Sequence, residues 1–332
     1  MPTLSTTNLN LLDIAKRLDP DGAVARIVEM LDQTNEILKD MVWKEGNLIT
    51  GERTSVRTGL PDVFWRMLNQ GVLTSKSHTA QITEATGMLE AYSQVDRDLA
   101  DLGGNAKAVR LSEARAFFEA MNQEFASTLF YGTALAPEEF IGLAARYSST
   151  AAGNGDNIIL GGGTGSVDNT SIWLIQWDEE TVCGIYPKAS KAGIFHEDLG
   201  LETVENAGGV TGALMRAYRD HWQWKCGICL KDWRHAVRIA NVDISNLSSA
   251  SDAADLLHLM ADAEERLPFK MGRRAFYVNR TIRRFLRHQT REQVSAGGGI
   301  TFQNIAGEMV TMFGTTPVRV TDALLNTEDV VA

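Results

Sequence analysis

Thr50-Gly51-Glu52-Arg53-Thr54-Ser55-Val56-Arg57-Thr58-Gly59 alternates β-favouring residues, with Thr54, Val56 and Thr58 on one side and polar or charged residues on the other. The pattern predicts one arm of a long hairpin with almost no apolar face. A two-stranded ribbon of this kind is marginal in isolation. Around it, from Trp43 to Tyr92, the glycines Gly46, Gly51, Gly59, Gly71 and Gly87 punctuate the chain. About fifty residues without a convincing core are unusual inside a compact domain. The physical solution is that a partner supplies the missing surface.

Upstream, Leu9, Leu12, Ala15 and Leu18 recur at helical spacing, and Asp19-Pro20-Asp21-Gly22 breaks the run. Val24, Ile27, Val28, Leu31 and Leu38 then resume a period near 3.6. These stripes have little nearby in sequence to bury against, so they either fold back on the body or lie on a neighbouring subunit. Downstream, residues 112–132 predict a helix. Ser112 is a suitable N-cap, Glu113 complements the helix dipole, and Leu111, Ala114, Phe118, Met121, Phe125 and Leu129 form the stripe. Gly132 is expected to supply a left-handed stop.

Beyond that helix the chain is mixed. Strands are expected at 171–177, 182–186, 236–240 and 318–320, and helices at 251–267 and 279–290. Leu256, Leu259, Met260 and Ala263 form the stripe of the first of those helices. This is an α+β pattern without the regular alternation of a doubly wound fold. No repeat and no low-complexity tract interrupts it.

The 332 residues allow one elaborate domain or two lobes. Hydrophobic residues are 44% and charged residues 22%, ordinary for a chain that buries a core. Glycine (29) with only 7 prolines favours bends over stiffened linkers. Lys plus Arg is 32 and Asp plus Glu is 42, so the net charge is 32 − 42 = −10, a poor balance for gripping DNA phosphates. No window approaches the ~18 uninterrupted apolar residues of a membrane span. Met1-Pro2-Thr3-Leu4-Ser5 lacks a basic cluster and a following apolar stretch, so a secretory signal is not expected. Three cysteines suit a reducing compartment better than a disulfide scaffold.

Several motifs invite chemistry. Cys226-Gly227-Ile228-Cys229 has the redox spacing C-x-x-C, but Trp222, Trp224, Cys226 and Ile228 alternate as in a strand, which sends Cys226 and Cys229 to opposite faces. Cys226, Cys229, His221 and His235 fit no zinc spacing. Gly161-Gly162-Gly163-Thr164-Gly165-Ser166 lacks the lysine of a phosphate loop and precedes a strand, so it reads as a flexible loop. His196-Glu197-Asp198 offers an acid/base or ligand group, against a solvated turn as the bland reading. Arg273 and Arg274 precede Arg280, Arg283, Arg284, Arg287 and Arg291, whose spacing puts the last five largely on one helix face. That face is solvated, bridges to an acidic neighbour, or touches nucleic acid weakly.

A resemblance orders these pieces. Leu9-Asn10-Leu11-Leu12-Asp13-Ile14-Ala15-Lys16-Arg17-Leu18-Asp19-Pro20-Asp21-Gly22, Gln33-Thr34-Asn35-Glu36-Ile37-Leu38, Trp43-x-Glu45-Gly46-Asn47-Leu48 and Arg57-Thr58-Gly59-Leu60-Pro61 come first. Trp65-Arg66-x-Leu68-Asn69-x-Gly71-Val72 and Gly87-Met88-Leu89-Glu90-Ala91-Tyr92-Ser93 follow. Leu129-Phe130-Tyr131-Gly132, Gly163-Thr164-Gly165, Asp168-Asn169-Thr170-Ser171-Ile172-Trp173-Leu174 and Asp232-Trp233-Arg234 continue the series. In this order they resemble the major capsid proteins of tailed, mainly short-tailed, bacteriophages.

The resemblance implies an α+β Hong-Kong-97-like capsid fold. It implies an N-terminal arm over 1–40, an extended loop over 41–100, and interleaved peripheral and axial domains over 101–332, with a spine helix at 112–131. The chain departs from the family in one respect: Ile172-Trp173-Leu174-Ile175, followed by Gly184-Ile185-Tyr186, precedes Phe313-Gly314-Thr315-Thr316-Pro317-Val318-Arg319-Val320, the reverse of the usual order, so a rearranged strand order is expected.

The implied function is a self-assembling major capsid protein, forming hexamers and pentamers of an icosahedral head around double-stranded DNA. The shell geometry common in the family is T=7. No catalysis and no cofactor are expected. Leu12, Leu18, Ile27 and Leu31 of the arm, Arg53 and Arg57 of the ribbon, and Arg283 and Arg287 of the basic helix are the expected inter-subunit contacts. Partners are other copies, a decoration or cement protein, a portal and a scaffold, with weak non-specific contact to the enclosed DNA and none to membrane. The shell would assemble in the host cytoplasm and belong to the virion. The alternatives are a thiol oxidoreductase through Cys226 and Cys229, a nucleotide-binding enzyme through the glycine run, and an encapsulin-like compartment.

Overall fold

A computed structural model describes residues 33–101, 105–165, 168–205, 212–248, 253–268, 272–292, 300–305 and 308–332. The strands, in chain order, are β1 (Trp43–Glu45), β2 (Gly51–Gly59), β3 (His78–Ala85), β4 (Gly87–Asp96), β5 (Ile158–Leu160), β6 (Asn169–Trp177) and β7 (Val182–Tyr186). They continue with β8 (Ile194–Glu205), β9 (Leu214–Leu230), β10 (Ala236–Asp243), β11 (Arg273–Val278), β12 (Ile300–Ile305), β13 (Glu308–Phe313) and β14 (Thr316–Val320). The three longer helices are α1 (Ala106–Tyr131), α2 (Leu256–Arg266) and α3 (Arg280–Glu292). The described residues divide into two units, one of Gln33 and residues within 88–125 and 193–225, the other within 34–87, 126–192 and 226–332.

In the larger unit the sheet runs β12-β13-β14-β11-β6-β7 and on to the end of β9. β10 flanks β6, β5 pairs parallel with β10, and β1 pairs parallel with β7. Every residue of β6 is buried. Its alternation explains why. Ile172 and Leu174 face a core with Val237, Ile239, Phe276 and Val278. The intervening Trp173 meets Phe130 and Tyr147 at ring separations of 6.2 and 5.7 Å. A strand covered on both faces reads as a near-continuous apolar run rather than an alternation.

α2 and α3 close the first of those cores. Asp255 caps α2, accepting the His258 amide at 3.1 Å, and Leu256, Met260 and Ala263 are buried. Asn279 caps α3 by accepting the Ile282 amide at 2.7 Å, and Ile282, Phe285 and Leu286 turn inward. The helix expected at 251–267 thus begins at Leu256.

A buried polar cluster holds the C-terminal segment to this unit. The Arg238 guanidinium donates to Glu328 at 2.8 Å, to the Tyr147 carbonyl at 2.8 Å and to Ser171 at 3.0 Å. Tyr131 donates to the other Glu328 oxygen at 2.5 Å. The chain end follows, with Asn241 donating to the Val331 carbonyl and Thr150 to that of Ala332.

The smaller unit places the first part of α1 with β4, β8 and β9. β8 and β9 form a long antiparallel ribbon, with Ile194 opposite Trp224 and Glu205 opposite Leu214. Phe118 packs edge-on against Trp222 at 4.7 Å, and Phe125 lies 4.5 Å from Trp224. Val95, Ala100 and Val109 form a small apolar cluster with Tyr218.

Two details of α1 differ from the sequence reading. It has 26 residues and starts six residues before Ser112. Asn105 is the cap, its side-chain oxygen accepting the Ala108 amide at 3.1 Å, so Ser112 lies inside the helix. Gly132 does not take a left-handed conformation. It is glycine for want of room, because a Cβ there would lie 2.3 Å from the Phe140 carbonyl oxygen. His196-Glu197-Asp198, read as a turn, lies instead within β8.

Candidate functional site

β2 and β3 form a two-stranded sheet of their own, in register from Gly51 opposite Ala85 to Gly59 opposite His78. The alternation read from residues 50–59 is present, with Thr54 and Val56 half-buried and Arg53, Ser55 and Arg57 exposed. Asn47 clamps the base, donating to the Arg53 carbonyl at 2.6 Å and accepting the Arg53 amide at 2.8 Å. Gly51 adopts φ +154°, and a Cβ there would fall 1.9 Å from the Glu84 carbonyl oxygen. The ribbon therefore starts where only glycine fits. The range 41–100 also contains β1, which pairs with β7, and β4, which lies in the smaller unit.

Residues 60–77 connect the two strands as a knob. Ser75 donates its hydroxyl to the Asp62 carbonyl at 2.7 Å, Arg66 donates to the Gln70 carbonyl at 2.8 Å, and the Gln70 amide donates to the Met67 carbonyl at 3.2 Å. On this knob Leu60, Val63, Trp65, Leu68 and Leu73 are each at least 80% exposed, and Trp65 is wholly so. Single exposed apolar residues are ordinary, but a contiguous patch marks an interaction surface. This knob is the exposed apolar feature that the sequence reading did not single out. Its signal was present in Val63-Phe64-Trp65 and Met67-Leu68, an apolar run inside a segment without a core.

Beside the ribbon lies a groove of about 580 Å³, lined by Val56, Arg57, Ile82, Arg146, Leu230 and Trp233, among others. Arg146 holds Glu84 in a bidentate pair at 2.5 and 2.6 Å, the geometry that most strengthens a guanidinium–carboxylate contact. Burial pushes the Asp232 carboxyl up, yet Arg234, bound to both of its oxygens, outweighs it and holds the carboxyl below the usual range.

The expected contact residues fall in separate places. Arg53 and Arg57 are exposed on β2, and Arg53 donates to Thr83 Oγ1 across the ribbon at 3.2 Å. Arg283 and Arg287 lie one turn apart on α3. Burial, with Arg287 adding to it, holds the Arg283 guanidinium below its ordinary value. Arg280 pairs with Asp322 at 2.7 Å and Arg284 lies over the Phe285 ring at 4.7 Å, so part of the basic face serves the subunit itself. Leu12, Leu18, Ile27 and Leu31 lie outside the described residues. Of the expected arm, residues 33–40 are described, and Asn35 bridges to Thr321 while Ile37 is fully buried.

Cys226 and Cys229 sit on β9, not at a helix N-terminus, and burial pushes the Cys226 thiol up. In the glycine run the Gly161 and Gly163 amides donate to the Ala240 and Asn241 carbonyls at 2.7 and 2.8 Å, so they do not point at a ligand. His196 stacks on Trp222 at 4.0 Å with its Nε2 2.9 Å from Asp220, on the edge of a groove of about 400 Å³ in the smaller unit. Among the described residues no cluster of His, Cys, Asp and Glu could hold a metal ion, and no helix is long and apolar enough to cross a membrane.

Comparison with solved structures places this architecture. The chain superposes on the near-atomic structure of bacteriophage Epsilon15 with a TM-score of 0.75 and 32% identity, covering 100% of this chain and 99% of that one. The bacteriophage JBD30 capsid shares the fold at 10% identity, with a TM-score of 0.50 over 89% of this chain and 92% of that one. No curated protein matches the chain. The α+β fold is therefore that of the Hong-Kong-97-type phage capsid subunits. The family described as "Major capsid protein GP7" matches residues 19–332, and the chain belongs to it. It is a structural component of a phage capsid.

Proposed function

We propose that this chain builds the icosahedral head of a tailed phage by forming hexamers and pentamers, with the ribbon acting as the extended loop that lies over the next copy. One observation carries this reading: Leu60, Val63, Trp65, Leu68 and Leu73 are 80% or more exposed on a knob whose two-stranded ribbon pairs with no other strand among the described residues. Covering such side chains contributes roughly 1.5–3 kcal/mol each as an upper figure. Repetition over many neighbours turns that into a durable shell, closed when heterologous contacts rotate correctly. The shell encloses double-stranded DNA, with only weak contact because the chain carries a net charge of −10.

The finer parts of the reading go with it. The arm residues Leu12, Leu18, Ile27 and Leu31 bury against neighbours, and Arg53, Arg57, Arg283 and Arg287 reach acidic groups of adjacent copies. Assembly takes place in the host cytoplasm with a scaffold and a portal, a decoration protein covers the surface, and seven quasi-equivalent positions describe the lattice. The subunit has no catalytic role. Full-length likeness at 32% identity to a phage capsid favours a head over an encapsulin-like compartment. The strand order departs from the common topology of the fold, and a strand-by-strand overlay on a more typical relative tests that.

The test of the function is electron microscopy of the purified chain, alone and with a co-expressed scaffold, beside the variant Trp65→Ser with Leu68→Ser. Shells or capsomer rings from the parent and soluble, folded subunits from the variant are expected. Intact shells from the variant would remove the knob from the interface, and a monomeric parent under every condition would remove the head.

A further inference from the structure

The cysteine pair that the fold brings together is not the one that sequence spacing suggests. β7 and β9 pair antiparallel with Cys183 directly opposite Cys229. Residues opposite each other in such a ladder share a face. The Lys231 amide donates to the Thr181 carbonyl at 2.9 Å on the same ladder. By alternation Cys183 and Cys229 are then also a hydrogen-bonded pair, with Cα atoms about 5.5 Å apart. That lies within the roughly 4.4–6.8 Å that a disulfide spans. Both thiols are free and buried, packed with Ile185 in a small cluster of their own.

The surroundings favour the thiolate at Cys183, and because both sulfurs are buried the oxidant reaches them only through local opening of the strand pair. Lys44 and Lys231 converge on Glu52 at 3.3 and 3.7 Å. The Cys229 thiol first, then Lys231 and Lys44, hold the Cys183 thiol below its ordinary value against its burial. A thiolate is the species that attacks a disulfide. Cys226 lacks such neighbours, and its thiol is pushed up by burial alone.

We propose that Cys183 and Cys229 are a modification site that closes to an intrasubunit disulfide on meeting a low-molecular-weight disulfide such as oxidised glutathione. The Cys183 thiolate attacks one sulfur of the oxidant, forming a mixed disulfide, and the departing half takes up the proton that Cys183 released. Cys229 then attacks the Cys183 sulfur. The Cys183–Cys229 bond forms, the second half leaves, and it takes the Cys229 proton. Two cysteine thiols lose two electrons, and one oxidant disulfide becomes two thiols. The pairing stands on the strand register, whereas its use rests on the capsid reading. A shell subunit is made in a reducing cytoplasm and meets an oxidising exterior after release, so the bond would fasten β7, and β1 beside it, to β9 only in the finished particle.

The experiment uses the purified full chain with oxidised glutathione under native conditions, followed by alkylation, digestion and mass spectrometry. A linked peptide pair containing Cys183 and Cys229, lighter by two hydrogens, is expected, with Cys226 alkylated and full reversal by dithiothreitol. The unfolding midpoint should rise by a few degrees with the bond. Cys183→Ser and Cys229→Ser should lose the linked pair, and Cys226→Ser should keep it. Three alkylated cysteines after oxidation, a stable glutathione adduct without closure, a bond to Cys226 or a bond between chains would each overturn the proposal. Light scattering on the same samples reports assembly separately. A linked but non-assembling protein would count against the capsid reading and leave the disulfide standing.

Discussion

Glu328 accepts from Arg238, Ser171 and Tyr131 at once, although it lies far from all three in sequence. Arg238 is 4% exposed, so removing its partner leaves a buried charge uncompensated. Glu328→Ala should therefore destabilise the chain by about 3–5 kcal/mol, measured by urea unfolding. Adding Arg238→Met should restore part of that loss, because replacing both partners removes the unpaired charge. A second residue effect depends on pH. Arg110 binds Asp198 and holds its carboxyl below the usual range, with the Gly200 amide adding to the effect. A lowered folded value means that the unfolded chain binds the proton more readily. The contribution is thus full above about pH 3.9 and is lost as pH falls through the lowered value. Asp198 is largely exposed, so screening keeps the effect small. Arg110→Ala should flatten part of the acid limb of a midpoint-versus-pH curve, and an unchanged limb would remove the pair from the account.

At the scale of elements, capping decides where helices begin. Asn105 caps α1, and Asn105→Ala should cost about 1 kcal/mol, read as a lower urea midpoint. Ser112→Ala, at the position expected to be the cap, should cost much less, because Ser112 is interior to the helix. The contrast explains what was legible in the sequence. Period-2 runs such as Trp222, Trp224, Cys226 and Ile228 show a strand locally, and β9 contains them all. The fully buried β6 was legible from its apolar run, and the coreless ribbon from its lack of one. Asn105 was not legible, because Ser112-Glu113 carries the same cap chemistry and one sequence does not rank two caps. Nor was the Cys183–Cys229 juxtaposition, since long-range register sets it and spacing does not. The knob hid between strands because an exposed apolar run and a buried one are spelled alike.

For the whole molecule, assembly and folding separate by region. Replacing residues 60–77 by an Asn-Gly turn should leave a chain that unfolds cooperatively but forms no shells by electron microscopy, because the knob contributes little to its own subunit's core. Arg283→Glu with Arg287→Glu should behave similarly if α3 bridges copies, with circular dichroism unchanged and assembly lost. Intact shells from that variant would assign this face to solvent.

The exposed knob has an optical consequence. All seven tryptophans are accounted for, and Trp65 alone stands fully in water, while Trp173 and Trp177 are wholly buried. Trp65 therefore emits at the red edge of the spectrum of a free subunit. If the next copy covers it as proposed, that edge should move to the blue in step with shell closure. The protein thus carries its own gauge of assembly, readable in a stopped-flow cuvette without a label.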